Sequence, residues 1–164
     1  MRYHNITHDD MLNGDGLRVV LWVSGCTHKC QGCQNPITWN PDDGLEFDIA
    51  AKNEIFNELK KDYVSGITFS GGDPFYIGNI DDVTKFIHDI KMLYPSKTIW
   101  IYTGYQYDYL LDNFYYSLIN VDVLVDGKFI KELSDVNYHW AGSTNQRVIN
   151  VQESLKQGNI VLWK

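Results

Sequence analysis

Leu17-Arg18-Val19-Val20-Leu21-Trp22-Val23-Ser24-Gly25-Cys26 decides the fold of this chain. Six of its first seven residues are apolar. A continuous run of that length suits a strand covered on both faces, as in a parallel sheet. Ser24-Gly25 breaks the run, and three cysteines follow at once. Downstream, residues 47–63 read as a helix with Phe56, Leu59 and Tyr63 on one face. Gly66-Ile67-Thr68-Phe69-Ser70 reads as a second strand and stops at Gly71-Gly72-Asp73-Pro74. Ile80, Val83, Ile87, Ile90 and Tyr94 then form one helical stripe, ended by Pro95. A third strand over 98–102, a helix over 107–116 and a fourth strand over 121–125 complete the alternation. Beyond Lys128 it fades, with short strands expected over 148–151 and 160–163.

Strands alternating with helices predict βαβ units and an α/β fold built on a parallel sheet. A closed eight-stranded barrel needs about 250 residues. This chain has 164, so the expectation is an open, partial (β/α) barrel with a mainly parallel sheet, in one domain over 1–164. Ligands of such sheets gather at the carboxyl ends of the strands. The cysteines follow the first strand, Gly71 to Pro74 the second, Thr103-Gly104-Tyr105 the third and Asp126-Gly127-Lys128 the fourth. One face therefore collects every unusual segment.

Hydrophobic residues are 44% and charged residues 21%, as in ordinary globular domains and unlike disordered chains. Fourteen Lys and Arg against 21 Asp and Glu give a net charge of −7, which opposes general nucleic-acid binding. No stretch approaches the roughly 20 apolar residues of a membrane helix, and Met1-Arg2-Tyr3-His4-Asn5 lacks the apolar run of a secretory signal. These features predict a cytoplasmic protein with neither a membrane nor a nucleic-acid partner.

The three cysteines, Cys26, Cys30 and Cys33, are an odd number packed into eight residues, a poor disulfide framework. Thiolates spaced CxxxCxxC on an irregular loop can wrap one metal centre, with Gly25 and Gly32 supplying backbone freedom. Sulfur ligands select zinc or an iron–sulfur cluster. A 4Fe–4S cube normally takes four cysteines, so three leave one iron open to a ligand. Zinc held by the cysteines with His28, His4 or His8 is the competing reading, and three ordinary thiols the last.

With its neighbours, the loop resembles the radical S-adenosylmethionine enzymes. The match narrows to the small glycyl-radical activases that serve anaerobic ribonucleoside-triphosphate reductases. It rests on Asn13-Gly14-Asp15-Gly16-Leu17-Arg18, Val23-Ser24-Gly25-Cys26 through Cys33, and Ser70-Gly71-Gly72-Asp73-Pro74. Ile99 to Tyr105, Val123 to Phe129, Gly142-Ser143 and Asn145-Gln146-Arg147 continue it. Gln34 stands where the family usually has an aromatic residue near the adenine, and Asp15 where proline is common.

The resemblance implies one 4Fe–4S cluster on Cys26, Cys30 and Cys33, whose open iron holds S-adenosylmethionine. An external one-electron donor reduces the cluster. Reductive cleavage then gives a 5′-deoxyadenosyl radical, which makes a glycyl radical on the large subunit of the reductase. Another glycyl radical enzyme as target, or a zinc-stabilised interaction module, are the alternatives. A homodimer and a heterotetramer with the reductase are both left open.

By the same resemblance Gly32, Cys33 and Gln34 wrap the adenosine portion, and Gly71 and Gly72 offer carbonyls to the methionine ammonium. A plain strand-end turn is the alternative for the glycines. Asp73 either orients that ammonium or caps the turn. Thr103 and Asp126 face the cleft or cap the turns that follow them. Arg147 meets a carboxylate of the cofactor or of the partner, or lies in solvent. His28 reads as a neighbour of the cluster or an exposed side chain, because a permanent fourth ligand there blocks the open iron. The 11 tyrosines and 5 tryptophans read as core and interface aromatics rather than as a radical relay.

Overall fold

A computed structural model describes residues 1–164. Its centre is the run quoted above. The strand β2 (Leu17–Val23) lies beside β1 (Arg2–Asp10), and β3 (Leu45–Glu46) pairs with β1 at the edge. Then come α1 (Ile49–Leu59), β4 (Val64–Gly71), α2 (Ile80–Leu93) and β5 (Thr98–Tyr102). The chain ends with α3 (Tyr107–Asn113), α4 (Tyr115–Leu118), β6 (Val123–Asp126), β7 (Arg147–Asn150) and α5 (Val151–Gln157). The seven strands form one open sheet in the order β3-β1-β2-β4-β5-β6-β7.

The four strands expected from the sequence are the parallel centre, β2-β4-β5-β6. The edges are antiparallel: β1 on β2, β3 on β1 and β7 on β6. The sheet is thus mixed, and parallel only in the middle.

Alternation along the strands divides their residues between two faces. Val19, Leu21, Val23, Ile67, Phe69, Ile99, Ile101 and Leu124 face the helices in the main core. There α2 buries Val83, Phe86, Ile87 and Ile90, and the Phe86 ring meets those of Phe47 and Phe56 at 5.0 and 5.4 Å between centroids. Each such side chain contributes about 1.5–3 kcal/mol through burial. The opposite face carries Arg18, Thr68, Trp100, Tyr102, Val123 and Val125. Trp140, Val148 and Trp163 cover Trp100, Val123 and Val125 there.

Arg18 is fully buried on that second face. Its guanidinium donates to Thr68 Oγ1, Thr98 Oγ1, Ile67 O, Thr98 O and Asp15 O, and lies 5.4 Å from the Trp100 ring centroid. Burial lowers its pKa to about 10, still far above neutrality, so the buried cation persists and ties β2, β4 and β5 together.

Four local expectations change. Helix α1 stops at Leu59, and Tyr63 is exposed beyond it rather than on the buried face. The helix over 107–116 breaks at Phe114 into α3 and α4. Residues 148–151 divide between β7 and α5, with Asn150 capping the helix by accepting from Glu153 N. Residues 160–163 form no full strand, only the bridge of Leu162 to Ile149. No helix is long and apolar enough to cross a membrane.

Candidate functional site

The carboxyl ends of β2, β4, β5 and β6 open on one cavity of about 210 Å³. Cys26, Cys30 and Cys33 line it together with Gly71, Gly72, Asp73, Thr103 and Gln34. Local backbone shape brings the thiols there. Gly25, Lys29 and Gly32 adopt positive φ (99°, 46° and 73°), which curls the loop tightly. Its ends are pinned: Gly72 N donates to Val23 O at 2.7 Å, Asp73 N to Gly25 O at 2.8 Å, and Cys26 N to Trp39 O at 3.1 Å. The amide of Asn79 adds a bond to Ser24 O at 2.7 Å.

The three thiols are unpaired and half-buried. Burial pushes Cys26 and Cys30 up from the ordinary thiol value, while the backbone N–H of His28 on Cys26 and that of Phe129 on Cys30 pull the other way. The Cys33 sulfur accepts from Asn35 N at 3.3 Å. Backbone N–H groups aimed at sulfur are what a clustered thiolate needs to spread its charge.

This donor set fits an iron–sulfur cube. Three sulfur donors on one loop, all lining one cavity, are the soft ligand set such a cluster takes. His8 is spent elsewhere, 2.8 Å from Glu54, and neither His4 nor His8 lines the cavity. Beside the thiols Gly71 has φ +93°, and a Cβ on Gly72 stands 2.5 Å from Gly25 O, so the loop after β4 has no room for side chains.

Asp73 is 2% exposed and acts as a hub. Its carboxylate accepts from Phe75 N at 2.9 Å, Gly104 N at 3.0 Å and the Thr103 hydroxyl at 2.9 Å. Asp126 does not line the cavity. It is 1% exposed, with its carboxylate on the Arg147 guanidinium and on Tyr107 N, and Gly127 lines the cavity instead. Asp126 raises the pKa of Arg147 still further, chiefly through their hydrogen bond. Gly32 also lies outside the lining, facing the Lys131 side chain.

The sequence reading missed Trp22, Ser70 and Tyr102, which line the cavity from β2, β4 and β5. A period-two signal was available: all three lie opposite the apolar residues that face the helices. It also missed Gln146, whose amide receives Gly142 N and Ser143 N and donates to Gly127 O, lacing two loops at the rim. A second cavity of about 500 Å³ shares Asn13, Gln34, Tyr102 and Gly142 with the first, so the two form one continuous cleft.

Residues 12–149 match the family model described as a 4Fe-4S single cluster domain. Similar curated proteins include one from Haemophilus influenzae, 41% identical over 89% of this chain and 96% of its own. One from Enterobacteria phage T4 is 41% identical over 90% and 93%, and one from Escherichia coli K12 is 41% identical over 90% and 97%. Each of the three is named an anaerobic ribonucleoside-triphosphate reductase-activating protein.

Proposed function

The chain belongs to the anaerobic ribonucleoside-triphosphate reductase-activating proteins and carries their 4Fe-4S single cluster domain, and from that premise we propose that it is a radical S-adenosylmethionine activase. Its substrate is the large subunit of its reductase, on which it makes a glycyl radical in the cytoplasm. In this reading 1–164 is one domain, and its open sheet is a shortened barrel of the radical S-adenosylmethionine type. The carrying observation is that three unpaired thiols share one strand-end cavity with the side-chain-free Gly71-Gly72 turn.

A cluster held there would supply one-electron reduction of S-adenosylmethionine from an external donor, the source of methionine and of the 5′-deoxyadenosyl radical that would take hydrogen from glycine. The rest is the work of the chain. Cys26, Cys30 and Cys33 would hold the cluster and leave it a position open to the amino and carboxylate groups of S-adenosylmethionine. Gly71 and Gly72 let the backbone approach the ammonium, while Asp73 and Thr103 hold that turn in place. Gln34 and Cys33 border the adenosine. Met11, Leu12 and Val136, 67%, 82% and 97% exposed on the wider cavity, offer an apolar rim to a loop of the reductase.

Anaerobic reconstitution tests this. The chain is expected to take up about four irons and four sulfides, and with S-adenosylmethionine, a reductant and the reductase to give a glycyl-radical EPR doublet. Cys30→Ala is expected to lose both results while keeping its circular dichroism. Stoichiometric zinc with no iron uptake, or full activity in Cys30→Ala, overturns the reading.

A further inference from the structure

His28 sits midway between Cys26 and Cys30, yet its imidazole turns inward, with the side chain only 8% exposed. Its Nε2 lies 2.8 Å from Asp73 Oδ2. The ring N–H is not aligned on that oxygen, so the contact is a close charge–dipole approach rather than a directed hydrogen bond, and Nε2 has no other partner. A buried ring nitrogen needs a partner, and Asp73 is the one within reach. The ring also fits a shaped slot. It meets Tyr105 edge to face at 4.5 Å, and a Cβ on Gly104 would stand 2.4 Å from His28 Cδ2. Asp73 meanwhile holds Gly104 N and the Thr103 hydroxyl.

We propose that His28 is a positioning residue: seated beside Gly104 and drawn by Asp73, it pins the middle of the cysteine loop to the loops after β4 and β5. The thiols on either side of it are thereby set toward the cavity before metal arrives. The same contact turns the imidazole away from the thiols, so it would not ligate a cluster held by them. This deepens the function proposed above, but its first readout is made on the metal-free chain and does not depend on that function.

The variants are His28→Phe, which fills the slot without the polar contact, and His28→Gln, which restores an amide donor toward Asp73. In the metal-free chain the rate of thiol modification by an aromatic disulfide reagent is expected to rise about tenfold in His28→Phe, as loss of a charge-assisted contact does to a local opening equilibrium. His28→Gln is expected to return most of that protection. Adding His28→Phe to Asp73→Asn is expected to change the rate little further. The second readout is iron loss from the reconstituted protein to a chelator, expected to be faster in His28→Phe and slower again in His28→Gln. Circular dichroism melts confirm that each variant is folded. Wild-type thiol protection in His28→Phe, or additive effects in the double variant, overturns the proposal. If the thiol result holds and no iron is taken up, the latch stands and the cluster reading falls.

Discussion

Asp126 and Arg147 grip each other across the β6–β7 pair, where they face one another in register. Arg147 Nε donates to Oδ1 at 3.0 Å and a second guanidinium nitrogen donates to Oδ2, which also takes Tyr107 N at 2.8 Å. One carboxylate therefore joins the edge strand to the start of α3 and closes the fourth strand-end loop. Removing the arginine leaves a buried charge with one backbone donor. Arg147→Met is expected to lower the unfolding free energy by about 2 kcal/mol, below the range for a fully buried pair because the Arg147 side chain is one-third exposed. Urea denaturation measures the loss. Arg147→Lys, which keeps the charge but not the two-pronged geometry, is expected to recover part of it.

The two glycines at the end of β4 fail for partly different reasons when given a methyl group. At Gly71 the backbone has φ +93°, which costs an L-residue about 1–3 kcal/mol, and the new carbon also comes within 2.9 Å of Val23 O. At Gly72 the obstacle is space, since the new carbon meets the backbone carbonyls of Gly25 and Val23 at 2.5 and 2.9 Å. Neither carbonyl can swing away, because each accepts a bond that fixes the cysteine loop: Gly25 O from Asp73 N and Val23 O from Gly72 N. Gly72→Ala is expected to lower the melting temperature by about 4–8 °C, from overpacking of about 2 kcal/mol. It is also expected to retain less iron than Gly71→Ala, because the strain falls on the residue before Cys26. Melting curves and iron analysis after reconstitution check both.

The C-terminal segment closes the second face of the sheet. Trp163 meets Trp100 edge to face at 5.6 Å between centroids, and its indole donates to Asp15. The Asp15 carboxylate thereby tethers the turn before β2 to the C-terminal segment. Trp163→Ala is expected to cost about 2 kcal/mol in urea unfolding, from the aromatic pair and the hydrogen bond together. Asp15→Ala is expected to cost less, since only the hydrogen bond is lost.

The strands of the parallel centre were legible because burial on both faces leaves a continuous apolar run, as in Val19, Val20 and Leu21. The edge strand β1 was not. Arg2-Tyr3-His4-Asn5-Ile6-Thr7-His8-Asp9-Asp10 buries only Tyr3, and polar residues are how an exposed edge avoids further pairing. The helix expected over 47–63 overruns its end at Leu59 because Tyr63 continues the helical spacing, a pattern that is blind to the turn carrying the chain into β4. In the site, the strand pattern puts the cysteines and the glycine turn at strand ends, and the structure gathers both round one cavity. The partners of Asp126 were hidden, since Arg147 lies 21 positions away and meets it only through β6–β7 pairing. Gln146 was visible as a residue but not as a lacing group, because its amide role depends on where two loops come to rest.

Gln34 occupies the junction of the two cavities and is exposed, with its side chain bonded to no protein group. An exposed amide there offers a ligand's base hydrogen bonds that water also offers, so its net contribution to binding is small. An aromatic ring at the same place presents a flat face instead, and base–aromatic stacking contributes about 1–3 kcal/mol in single-stranded nucleic-acid sites. The position tolerates the change, since nothing in the fold depends on the amide and the larger ring has the wider cavity to enter. Gln34→Tyr is therefore expected to tighten S-adenosylmethionine binding about tenfold. Isothermal titration of the reconstituted, oxidised protein measures it. The iron content and melting temperature are expected to stay those of the wild type, which separates a stacking gain from a change in the loop. An unchanged or weaker affinity would show that the adenine lies away from residue 34 and place it deeper in the cleft, toward Tyr102.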